Sequence, residues 1–293
     1  MRKLAGYIAL CLIWGTTWMA IKVGLKDLTP FFSLGIRFLL SAALTAAYLL
    51  LREKKITFEK TEVKLMLSIT FFNYVIPYSL VYWGQQFINS NLTAVLYATM
   101  PLNIALLSPF FLLKERLTRY DYAGMLIGFT GTVIIFAESL FAEQGFHLRG
   151  ILAVFMASVL SAVIAIILKN YKKEFHPLKI NFLPMLLTGI IVTATSFLVE
   201  DVKANRWSPQ AVWSVLYLTV FGTVIAFGIY FWMIQKIRLL LLSSITYVIP
   251  VIAIIMGWIF LKERLTPYQI VGALLVLIGV FIATRRPDGQ LHT

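Results

Sequence analysis

The chain is written almost entirely in apolar runs of roughly 20 residues, the length at which a helix crosses about 30 Å of hydrocarbon. Ten can be marked, near 5–25, 31–51, 64–83, 92–113, 120–137, 150–169, 179–199, 211–235, 239–261 and 267–284. In lipid every backbone amide must find its partner within the protein, which leaves a helix as the form for each run. The expected fold is therefore an all-α integral membrane protein with ten transmembrane helices. Composition agrees: 60% of residues are hydrophobic and 13% charged, against about 45–50% and about 25% in soluble domains. The connections are short except 52–62 and 200–210, so no domain is expected outside the bilayer. The opening MRKLAGYIALCLIWG has a signal peptide's charged start, yet its run continues to Leu25 and is read as a retained first span.

The formal charge of +13 would suggest nucleic acid in a soluble protein. Here the basic residues sit in clusters between runs, where they report orientation. Counted on alternate sides of ten spans, 18 Lys and Arg fall on the side of both termini and 6 on the other. The bias places the N and C termini in the cytoplasm of a multi-pass cell-membrane protein, and nucleic acid is not an expected partner. A single cysteine, Cys11, excludes an intrachain disulfide and a Cys-rich metal site.

One polar stretch is written twice: KERLTRYDYAG at 114–124 and KERLTPYQIVG at 262–272, 148 positions apart. The first copy follows span four and the second span nine. Five crossings separate them, so they face opposite sides of the membrane and the halves, 1–142 and 143–293, are inverted repeats. Other marks keep that register: Gly131 with Gly279, Pro101 with Pro250, and Lys22 and Pro30 with Lys169 and Pro177. Pro101 to Glu115 is one residue longer than Pro250 to Glu263 and contains Pro109, so a kink or bulge is expected in span four that span nine lacks. Thr266, Pro267 and Gln269 have the makings of a capped helix start, and Thr118 with Asp121 a weaker version. The repeated turn is read as architectural, with a gating role for Glu115 or Glu263 as the alternative.

LCLIWGTTWMAIKVGLKDLTP, LYATMPLNIALLSPFFLLKERLT and ITYVIPVIAIIMGWIFLKERLTPYQIVGALLVLIGV together resemble the two EamA repeats of the drug/metabolite transporter superfamily. The resemblance covers essentially the whole chain. It implies two inverted five-helix halves around a substrate cavity, with alternating access, most often in export of amino acids, related metabolites or toxic compounds.

Independently, inverted repeats favour a site near the midplane, where proline frees backbone carbonyls. Pro77, Pro101 and Pro250 would free those of Asn73, Tyr97 and Thr246, marking spans three, four and nine as movers. Candidate substrate-binding residues are the sparse polar and aromatic groups at this depth. They are Trp14, Thr17 and Trp18 in span one; Asn73, Tyr78 and Tyr82 in span three; Thr99 and Asn103 in span four. Ser161 in span six, Thr223 and Tyr230 in span eight and Tyr247 in span nine complete the set. Trp14 and Trp18 share a helix face and could stack on a substrate; Tyr74, Tyr78 and Tyr82 form a stripe; Asn103 serves equally as interhelical glue. The glycines of spans five and ten suit close packing instead. Lys22 and Arg37 lie toward the external ends of their spans and are expected to snorkel to the interface, with attraction of carboxylate-bearing substrates as the alternative.

All 13 acidic residues and all three histidines fall in loops or at span ends. No carboxylate at mid-depth is therefore on hand to carry a proton, which leaves facilitated diffusion, exchange or proton entry through water and a peripheral group such as Glu138 open; no metal or cofactor site is expected, and neither paired catalytic carboxylates nor a Walker lysine motif suggests an enzyme. The expected function is secondary transport, with export of small organic metabolites such as amino acids, or of drug-like compounds. A sugar or nucleotide-sugar carrier and a non-transporting receptor or assembly subunit are the alternatives. The expected partners are a small-molecule substrate, the lipid bilayer and, as an open alternative, a second copy of the chain.

Overall fold

A computed structural model describes residues 2–53, 57–88, 90–111, 117–137, 147–261 and 265–284. The described residues are overwhelmingly helical, and seven helices are long and apolar enough to cross a membrane. The first half runs α1 (Arg2–Gly24), α2 (Pro30–Glu53), α3 (Lys60–Ile69), a π-helical turn (Thr70–Val75), α4 (Ile76–Gly84), α5 (Ser90–Tyr97), α6 (Met100–Leu107) and α7 (Arg119–Ile135). The second runs α8 (Leu148–Asn170), α9 (Pro177–Val199), α10 (Pro209–Thr219), a second π-helical turn (Val220–Ile225), α11 (Ala226–Lys236), α12 (Leu239–Ser243), α13 (Ile245–Leu261) and α14 (Pro267–Thr284). Large side chains such as Leu51, Leu198 and Phe110 lie more than 80% exposed, a surface that only lipid would cover.

Local chemistry sets the helix starts. Pro30, Pro177, Pro209 and Pro267 each stand at a first position, where a missing N–H costs nothing. Thr266 and Gln269 form the expected reciprocal cap, with Thr266 N–H donating to Gln269 Oε1 (3.0 Å) and Gln269 N–H to Thr266 Oγ1 (3.3 Å). Thr118 and Asp121 do the same for α7. The α2 start is capped from afar: the Phe31 and Phe32 amides donate to the Glu200 carboxylate at 2.8 and 3.0 Å. An anion is favoured there by the partial positive charge of a helix N-terminus.

Two antiparallel helix pairs bind the halves together, α7 with α14 and α2 with α9. A β-carbon on Gly131 would lie 2.6 Å from the Gly272 carbonyl oxygen, and one on Gly124 would lie 2.5 Å from that of Gly279. The offset of 148 exchanges one contact for the other, so α7 and α14 meet on a local pseudo-two-fold axis. The exchange holds for α1 with α11 and α13 against α8 with α4 and α6, and only in part elsewhere. Helix α1 packs on α10, α11 and α13 of the other half, and α8 packs on α4, α5 and α6.

The backbone interruptions depart in part from expectation. The break in the fourth apolar run falls at Ala98 and Thr99, just before Pro101, and its helical part ends at Leu107 before Pro109. In the ninth run Pro250 sits inside an unbroken α13, and the break lies at Ser244. The π-helical turn before Pro77 was foreshadowed by that proline. Its counterpart 150 positions on, Val220–Ile225, contains no proline at all.

Candidate functional site

Helices α1, α2, α4, α5, α8, α11, α12 and α13 enclose a cavity at the junction of the two halves. Its interior leaves about 130 Å³ to the centres of water molecules. That is well above the roughly 10–15 Å³ a cavity needs to admit one water, and leaves room for several waters or one small organic molecule.

Eight of the twelve residues singled out in the sequence have described positions at or beside this space. Trp14, Thr17, Asn73, Tyr78, Tyr82, Ser161 and Tyr230 line it. Trp14 leans on Tyr230 and Phe227 with ring centroids 5.5 and 5.8 Å apart, forming an aromatic wall. Ser161 pairs with the hydroxyl of Tyr97 at 2.9 Å, joining α8 to α5. Thr223 stands just behind the lining: its Oγ1 accepts a hydrogen bond from Arg37 Nε. The side chain of Trp18 lies outside the described residues.

Three others are set apart from the cavity. Asn103 donates to Ser158 (3.0 Å) and Thr99 (3.3 Å), and Thr99 pairs with Ser158 at 2.9 Å. Ser158 also reaches the Tyr97 carbonyl at 3.5 Å, the group that Pro101 strips of its helical partner. This cluster ties α5 and α6 to α8. Tyr247 is fully buried against Gly128, in a small apolar cluster with Ala98, Val251 and Val276. Tyr74, one turn before Tyr78, keeps ring contact with it at 6.2 Å and packs behind the lining, its hydroxyl donating to Asn181 Oδ1 at 2.5 Å.

Arg37 corrects the sequence reading. Instead of snorkelling, it is only 2% exposed and points into the bundle. Its Nε donates to Thr223 Oγ1 at 2.7 Å and its Nη2 to the Gly222 carbonyl at 3.2 Å, both within the second π-helical turn. The turn itself is held by Thr223 Oγ1 donating to the Leu218 carbonyl five residues back (2.8 Å). The guanidinium carbon stands 5.6 Å from the Tyr78 ring centre and 5.7 Å from that of Phe38. Its signal in the sequence was depth: Arg37 lies seven residues, or about 10 Å of helix, inside the start at Pro30. A charge so placed is costly unless function retains it.

The two ends of the bundle are closed differently. At one, Arg238 Nη2 meets Asp121 Oδ1 at 2.6 Å, and Lys169 Nζ donates to the Ile234 and Ile237 carbonyls at 3.0 and 2.6 Å. At the other, Ser208 donates to Asp27 Oδ2 and the Thr29 amide to Asn205 Oδ1, both at 2.5 Å.

A pocket lined by aromatics and a few hydrogen-bonding groups is suited to holding a small molecule. Comparison with known proteins agrees. An uncharacterized transporter, YoaV, of Bacillus subtilis is 29% identical over 97% of both chains. Protein PagO of Salmonella typhimurium is 28% identical over 96% of this chain and 93% of its own. A chloroplastic WAT1-related protein of Arabidopsis thaliana is 25% identical over 94% of this chain and 68% of its own. One solved crystal structure superposes with a TM-score of 0.80 over 97% of this chain and 96% of that one; at 20% identity the likeness concerns the fold. The EamA-like transporter family matches twice, over residues 3–137 and 148–285. Covered by this double match almost from end to end, the chain belongs to the EamA-like transporter family of multi-pass membrane proteins.

Proposed function

We propose that the protein is a secondary transporter that exports small organic metabolites, amino acids or drug-like compounds among them, by alternating access. In this reading the halves 1–142 and 143–293 cross the membrane five times each in opposite senses, with both termini cytoplasmic. The observation that carries it is the cavity at their junction, flanked by matched π-helical turns at Thr70–Val75 and Val220–Ile225 and by breaks at 98–99 and 244. Interrupted helices around a central pocket give the backbone places to bend while the paired helices hold. The aromatic lining favours an amphipathic molecule over a polyhydroxylated sugar. Relatives named as transporters support the class.

The test is reconstitution of the purified chain in proteoliposomes, with radiolabelled metabolites screened for flux, first with a pH gradient and then with it collapsed. Saturable, protein-dependent flux supports the reading, and its persistence without the gradient marks exchange or facilitated diffusion. Binding without any flux would turn the assignment to a receptor.

A further inference from the structure

The cavity is charged on one side only. Arg37 lines it, and no carboxylate and no histidine does so among the described residues. Two nitrogens of the guanidinium are occupied by Thr223 and Gly222, whereas Nη1 is buried with no hydrogen-bond partner. Two more buried groups in the same lining are unpartnered, Asn73 Nδ2 and the hydroxyl of Tyr82. The Tyr78 and Tyr82 hydroxyls stand close to the Arg37 guanidinium, at the margin of hydrogen bonding. All three can donate. A buried donor left unmade is costly, and a charged one more so, so a pocket holding three favours a ligand that brings acceptors and negative charge.

We propose that the cavity is a site for organic monoanions. Arg37 Nη1, assisted by Asn73 and Tyr82, receives the carboxylate, and the apolar body of the ligand lies against Trp14, Phe227 and Tyr230. A doubly charged acid is disfavoured, because Arg37 is the one cationic group in the lining among the described residues. So is an amine that carries no carboxylate, whose charge would meet the guanidinium. Arg37 is also fastened to the second π-helical turn, so a carboxylate that draws the guanidinium toward the cavity pulls on Gly222 and Thr223. Occupancy is thereby felt by the backbone of the α10–α11 segment. The proposal deepens the transporter reading and rests on it for the direction of travel, though binding itself does not depend on flux.

The experiment uses the purified full chain in detergent, with Trp fluorescence and thermal shift as readouts. The probes are 3-phenylpropionate, its uncharged amide 3-phenylpropionamide, and phenethylammonium. Charge-assisted hydrogen bonds predict that the acid binds on the order of tenfold to a hundredfold more tightly than the amide, with the ammonium weakest. Arg37→Gln should abolish the difference between acid and amide, and Arg37→Lys should restore part of it. Equal affinity of acid and amide in the wild-type chain, or no saturable binding of the acid, overturns the proposal even if no Arg37 variant folds. Preference for the acid in detergent combined with absence of flux in proteoliposomes would leave the anion site standing and remove the transport reading.

Discussion

Arg238 Nη2 lies 2.6 Å from Asp121 Oδ1, joining the start of α12 to the first turn of α7. The same guanidinium reaches the Ala283 carbonyl near the end of α14 at 3.4 Å, and the same carboxylate caps α7 through the Thr118 amide at 2.7 Å. One ion pair therefore gathers three helix ends. Asp121→Asn should lower stability by about 1.5–3 kcal/mol, as expected for a hydrogen bond between charged groups. Thr118→Ala should cost about 0.5–2 kcal/mol through the cap alone. Thermal unfolding in detergent separates the two. If the double variant Asp121→Asn/Arg238→Gln loses as much stability as the two single losses added together, or more, the residues are uncoupled and the pair is not the latch described.

The α7–α14 crossing admits no side chain at four places. Gly124→Ala and Gly272→Ala occupy equivalent positions in the two halves, and each new methyl would press on backbone of the opposite helix at 2.5–2.6 Å. Each should cost about 1–3 kcal/mol, and the two melting temperatures should fall together. Gly228→Ala, which meets only a flexible Leu178 methyl at 3.1 Å, serves as the mild control.

Trp14→Ala and Tyr78→Phe should depress flux while leaving the protein folded in the membrane, since both side chains line the cavity. Asn103→Ala should act differently. It removes the link from α6 to Ser158 on α8 and should cost about 0.6–1.7 kcal/mol of stability, the range of interhelical hydrogen bonds in membranes. Flux at low temperature should then be retained. Unchanged flux in both cavity variants would remove the binding assignment.

Thr118 and Thr266 precede equivalent helices of the two halves. Replaced singly by Cys, they should react with an impermeant thiol reagent from opposite sides of the membrane. The native Cys11 is buried and contributes little background. Labelling of both from one compartment would refute the inverted arrangement.

How far the sequence carried this description varies from residue to residue. Thr266 and Gln269 announce their cap because the chemistry is local, and Gly124, Gly131, Gly272 and Gly279 announce a close crossing because only glycine allows it. The turn at Val220–Ile225 had no such mark. Its register depends on Thr223 reaching Leu218 and on Arg37 arriving from another helix, both tertiary facts. The break at Ser244 displaced the one expected near Pro250 for a related reason: Ser243 and Ser244 turn their hydroxyls onto the carbonyls of Leu240 and Leu241, competing with the helix there. Arg37 was read as lying toward a span end, and its rotamer could not be read at all. Proximity to a span end suggested water, and the pull of the π-helical turn decided otherwise.

The glycine contacts between α7 and α14 have a mechanical corollary. Because exchanging the halves maps Gly131–Gly272 onto Gly124–Gly279, turning the molecule inside out leaves this crossing as it was. In the alternating-access reading proposed above, a tilt of one half against the other would pivot on this crossing.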